Sequence, residues 1–94
     1  MTQHIPAETF PPGDFLKEEL EARGWSQAEF AEIIGRNPAT VNRIILGKAK
    51  ITPEMAYLLE KALNIAAEYW LNLESIYQLA KVRREENERL RRNL

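Results

Sequence analysis

Ninety-four residues suffice for one small domain, and 45% hydrophobic with 29% charged residues is the composition of a globular chain, not a disordered one. Thirteen Lys and Arg against fourteen Asp and Glu leave a net charge of -1, which on average speaks against a strongly basic nucleic-acid binder. The lack of cysteine excludes a disulfide scaffold, a zinc finger and thiol catalysis, and the single histidine, His4, is too isolated for a metal site or a triad.

Residues 1–11 have no hydrophobic period, carry prolines and are expected to form a flexible N-terminal arm. From Pro12 or Gly13 to Arg23, Phe15, Leu16 and Leu20 stand between charges and predict a first helix, stopped by Gly24. Ser26 followed by Glu29 is a capping box that opens a short second helix with Phe30, Ala31 and Ile34 inward, ending at Gly35. Asn37 and Pro38 are an N-cap and a first-turn proline; the third helix that follows turns Val41, Ile44 and Ile45 to one side and stops near Gly47. Thr52 and Pro53 repeat that opening. Met55, Leu58, Leu59, Ala62 and Leu63 then form the strongest amphipathic stripe in the chain, with Asn64 as its stop. A fifth helix is predicted from about Ala66, with an apolar side of Tyr69, Trp70, Leu73, Ile76, Tyr77 and Ala80. Residues 81–94 are a mixed charge run, either a solvated helical extension or a frayed tail. No segment alternates with period two, so the fold class is all-α: five helices forming a domain over residues 12–80.

Ser26 to Leu46 is the informative stretch, because two short helices joined through Gly35, Arg36 and Asn37 make a tight helix-turn-helix. Such a unit asks for a small residue where its helices approach, here Ala31, and for a residue tolerating positive φ in the turn, here Gly35. An ordinary αα-hairpin requires neither. The chain here resembles the phage-repressor (XRE) class of helix-turn-helix proteins. P-P-G-D-F-L-K-E-E-L (11–20), V-N-R-I-I-L-G-K (41–48), I-T-P-E-M-A (51–56) and W-L-N-L-E (70–74) are similar to the HigA-type antitoxins of bacterial toxin–antitoxin modules. The resemblance runs from about Pro12 to Ala80, and W-L-N-L is its most specific part. One departure is visible: Ile65-Ala66 stands where such proteins usually place Ser or Thr to cap the fifth helix.

The resemblance implies a phage-repressor-like DNA-binding domain whose third helix enters the major groove by its N-terminal part. Pro38, Ala39, Thr40, Asn42 and Arg43 would then face the bases. Arg43 can donate twice to guanine, Asn42 can pair with adenine, and Ala39 and the Thr40 methyl can meet thymine methyls. Gln27, Arg36, Asn37, Lys48 and Lys50 would hold phosphates. Solvation of Asn42 and Arg43 is the plainer alternative. Charge supports the contact: residues 33–53 hold four basic residues and no acidic one, whereas residues 14–32 hold six acidic and two basic. The -1 is therefore a cancellation between an acid-rich and a base-rich region.

One helix-turn-helix reads too few base pairs to be selective, so a homodimer on a palindromic operator is expected. The contact would come from the fourth and fifth helices through Tyr69, Trp70, Leu73, Ile76 and Tyr77, although much of that side can equally be core. The family resemblance implies a second partner, a cognate small basic ribonuclease toxin. The acidic first two helices could attract it or be a merely solvated face. No nucleophile–base pair, phosphate loop or ligand cluster is present, so the chain is expected to be no enzyme and to need no cofactor or metal. No apolar run is long enough for a membrane and no signal peptide is recognisable, so a cytoplasmic location is expected. Two readings compete with the antitoxin: a stand-alone or phage-derived repressor, and a protein-binding adaptor, against which the acid-free stretch argues.

Overall fold

The computed structural model describes residues 10–93, and its helices begin and end where local capping chemistry dictates. They are α1 (Pro12–Arg23), α2 (Gln27–Ile34), α3 (Pro38–Ile45), α4 (Pro53–Leu63) and α5 (Ala67–Asn93). Ser26 accepts from Glu29 N–H at 3.0 Å while its own N–H donates to Glu29 Oε1 at 2.8 Å, the reciprocal box expected from the sequence. The Glu29 carboxyl is held below its ordinary pKa, chiefly by the bond it accepts from the Ser26 backbone N–H and secondly by the Ser26 side chain beside it. Asn37 and Thr52 cap α3 and α4 through their side chains, each followed by a proline in the first turn. Gly35 ends α2 at φ 67°, and Asn64 ends α4 at φ 59°. A β-carbon makes that left-handed conformation costly at position 35, whereas asparagine tolerates it at 64.

Fourteen buried apolar residues drawn from all five helices and the α3–α4 turn form one core. Phe30, Ala31, Val41, Leu59 and Trp70 lie at its centre, none more than 1% exposed. Fully burying a side chain such as Leu59 contributes about 1.5–3 kcal/mol, so this cluster is what overcomes the chain entropy of so small a domain. Ala31 is fully enclosed where α2 packs on α3, which is the constraint expected of a tight helix-turn-helix.

Two features go beyond the sequence reading, and the second selects the helical extension from its two alternatives for the charge run. Phe15 is 39% exposed, because the inward stripe of α1 runs through Gly13, Leu16 and Leu20 instead. A β-carbon built on Gly13 would sit 2.0 Å from the Ile44 carbonyl oxygen, so this glycine sets how closely α1 approaches α3. The charge run after Ala80 is helix: α5 continues unbroken to Asn93, and every position from Val82 to Asn93 is exposed. At about 1.5 Å per residue the helix is about 40 Å long, longer than the domain is wide, and its outer half projects from the core.

The missing Ser or Thr cap on α5 has a substitute. Glu60 of α4 accepts from Ala67 N–H at 2.7 Å, satisfying an orphan donor of the first turn from a neighbouring helix. Of the arm expected at residues 1–11, only Phe10 and Pro11 fall within the described residues; His4 does not.

Candidate nucleic-acid interface

The outward side of α3 is built from its first residue upward. Asn37 Oδ1 accepts from Ala39 N–H at 2.7 Å, which fixes where the helix starts and leaves the Asn37 side-chain amide free to donate. Pro38, Ala39, Thr40, Asn42 and Arg43 are all exposed on it, while Val41, Ile44 and Ile45 are buried beneath. The five residues expected at the bases therefore share one solvent-facing surface.

Two of them are held in place by neighbours. Asn42 Nδ2 donates to Gln27 Oε1 at 3.0 Å, tying α3 to the N-terminus of α2. The bond leaves Asn42 with one N–H and its Oδ1, the pair an adenine edge requires, and leaves Gln27 Nε2 to donate to a phosphate. Arg43 Nη2 donates to the Lys48 carbonyl at 3.3 Å, which aligns the guanidinium with the turn that follows α3. An arginine held in this way loses less side-chain entropy on meeting guanine than a free one does.

The expected phosphate-holding residues divide into two groups. Among the described residues Gln27, Asn37, Lys48 and Lys50 carry no ion pair, and they flank α3 at both ends. Arg36 is already paired with Glu54, the first acidic residue beyond the acid-free stretch, which folds back onto it. Its charge is thus partly answered within the protein.

The structure corrects the expected dimer contact at one position. Trp70 is fully buried, because it lies on the same side of α5 as Ala67 and Glu74, the side against α4 and the α3–α4 turn. It is core and unavailable to a partner. Tyr69 and Ile76 are exposed at 47% and 61%, and Leu73 and Tyr77 are half-buried.

Sequence reasoning passed over Glu74. Its buried carboxylate accepts from Ile51 N–H at 2.9 Å and from Gln78 Nε2 at 2.6 Å. That bond fastens the α3–α4 turn, and with it Lys48 and Lys50, to α5. The only available signal was a glutamate inside the apolar run of W-L-N-L-E. Gly13 was likewise legible only as a glycine placed, at a cost, inside a first helical turn.

With the geometry in place, comparison with known proteins decides the family. A model of the helix-turn-helix family HTH_3 matches residues 16–70, more than half of the chain. The chain belongs to this family. Among helix-turn-helix relatives, the HTH-type transcriptional regulator YddM of Escherichia coli is 39% identical over 70 residues, 74% of either chain. Among solved structures, the antitoxin HigA of Pseudomonas aeruginosa with the higBA promoter superposes at a TM-score of 0.84 and 27% identity, covering 93% of this chain and 96% of that one. The P. aeruginosa protein PA4674 in complex with an 18-bp operator DNA gives 0.82 and 27%, covering 95% and 97%. The HigA-like architecture thus extends past the helix-turn-helix unit to most of α5.

Among the described residues no group of His, Asp or Glu could hold a metal ion, and no helix is long and apolar enough to cross a membrane.

Proposed function

We propose that this helix-turn-helix protein is a DNA-binding regulator, the antitoxin of a toxin–antitoxin module, that represses its own operon from a palindromic operator. The observation that carries the DNA reading is the outward side of α3, where Thr40, Asn42 and Arg43 stand exposed, two of them aligned by Gln27 and Lys48. A helix of this kind fits the major groove, about 12 Å wide, with Arg43 on guanine and Asn42 on adenine. Lys48, Lys50, Asn37 and Gln27 then hold the backbone on either side. The likeness to an antitoxin structure with its promoter and to a second protein on its operator supports this reading.

Two protomers are needed to place two α3 helices about 34 Å apart, one turn of the duplex. Tyr69 and Ile76 of α5 supply the exposed apolar part of that contact, with Leu73 and Tyr77 beside them. Sedimentation of the free protein at micromolar concentration gives a dimer on this reading and a monomer if it is wrong.

For the toxin, charge is the guide. Glu18, Glu21, Glu29 and Glu32 are exposed on α1 and α2, a surface complementary to a small basic protein. Co-expression with the product of the adjacent gene tests it: co-purification is expected, and two separately eluting proteins would contradict it. The regulator relatives favour a second reading, a repressor without a toxin, and a genome with no small basic neighbour selects that one. A gel shift on the protein's own promoter, weakening as salt rises, tests the part common to both.

A further inference from the structure

Between the start of α1, the α3–α4 turn and the middle of α5 lies an open cleft, and three lysines line it: Lys48, Lys50 and Lys81. They come from two elements far apart in sequence. Among the described residues none of the three pairs with a carboxylate, since the ion pairs are Arg23–Glu19, Arg36–Glu54 and Arg89–Glu86. Glu74 also lines the cleft, but its oxygens are committed to Ile51 N–H and Gln78 Nε2. Among the described lining residues, three cations against one carboxylate leave a surplus of positive charge, which favours an anion.

Lys81 is held toward this cleft. Its ammonium lies 5.5 Å from the centroid of the Tyr77 ring one turn earlier, and Tyr77 lines the same cleft. The position of the cleft decides which anion. Lys48 lines it, and the Lys48 carbonyl accepts from Arg43, so the cleft adjoins the C-terminal end of the surface of α3. A duplex with α3 in its major groove carries a backbone strand past that end.

We propose that the cleft takes a phosphodiester of the bound duplex and that Lys81 is a DNA contact, which extends the interface from the helix-turn-helix unit onto α5. The proposal rests on the reading of α3 as the recognition helix. It adds a contact outside the family-model match, on the helix that also carries the exposed apolar residues of the dimer.

The test is a titration of a promoter fragment by the full chain, followed by fluorescence anisotropy from 50 to 200 mM salt. Wild type is compared with Lys81→Ala, Lys81→Gln and Lys81→Arg, each checked for unchanged thermal melting. One phosphate contact contributes a slope of about 0.9 in log K against log salt, or about 3.5-fold in affinity over a fourfold rise in salt. Lys81→Ala and Lys81→Gln are expected to lower the slope by that amount per contact, on promoter and scrambled DNA alike, and Lys81→Arg to keep it. Wild-type slopes in both neutral variants would overturn the cleft while leaving α3 as the reading helix. A wild type that binds no DNA at any salt overturns both.

Discussion

In α2 and α3 each eight-residue helix buries three apolar side chains, whereas the twenty-seven residues of α5 bury only Trp70 and Glu74. The first pair is fixed from within the protomer: caps set where each helix begins, Ala31 and Gly13 set how closely neighbours approach, and Gln27 and Lys48 align the outward side chains. The outer half of α5 has no such frame. Its backbone bonds and the Arg89–Glu86 pair hold a helix that leaves Val82 and Leu90 in solvent. A surface prepared in advance suits a rigid, regular target such as a duplex, since little ordering entropy remains to be lost on binding. A projecting helix with scattered apolar residues takes its final surroundings from whatever packs on it.

Trp70→Ala bears most heavily on this contrast, because it separates the inner half of α5 from the outer. Removing a fully enclosed indole should cost about 3–5 kcal/mol in chemical denaturation. The loss should be the same at every protein concentration; a concentration-dependent loss would return Trp70 to the interface. Gly13→Ala comes next. The new methyl meets the Ile44 backbone, and the resulting overpacking should cost about 3 kcal/mol and displace α3, lowering DNA affinity as well. Equal stability of the variant and wild type would mean that α1 does not position α3.

Ser26→Ala should cost about 1 kcal/mol through the lost cap of α2, read as a lower melting temperature. Its partner Glu29 adds a pH dependence of known sign. Folding lowers the Glu29 pKa, so its contribution is present above the unfolded pKa and is lost as pH falls through the folded one. Glu29→Gln should flatten that acid limb, and an unchanged limb would assign it to other carboxylates. The smallest effect belongs to the outer half of α5. Deleting residues after Lys81 removes side chains that are exposed from Val82 to Asn93 and should change the stability of the protomer by less than about 1 kcal/mol. A larger loss would show that this half of α5 is part of the protomer's own frame after all.

Much of the fold was legible in the sequence because caps act locally. Ser26 with Glu29, Asn37 with Pro38, Thr52 with Pro53, and Asn64 each declare a helix end within a few residues of chain. The residues exposed on α3 followed from those ends and from the period of Val41, Ile44 and Ile45. What escaped was of two kinds. Glu60 on Ala67, Glu74 on Ile51, Asn42 on Gln27 and Glu54 on Arg36 join residues remote in sequence, and no local pattern encodes them. Trp70 was misplaced, and the exposure of Phe15 was not legible, because an apolar stripe says that a helix has an inner side without saying where it is centred. On α5 the stripe was wide enough to include both inner and outer positions; on α1 its true member, Gly13, carries no hydrophobic signal at all.

The account stands on α3 as the element that reads sequence, and Arg43→Ala tests that most directly. Titrated against the protein's own promoter and a scrambled duplex at one salt concentration, the variant should lose about 1–3 kcal/mol on the promoter and much less on the scramble. Its folding stability should remain that of wild type, because Arg43 is exposed. Undiminished affinity with undiminished preference for the promoter would contradict the central claim.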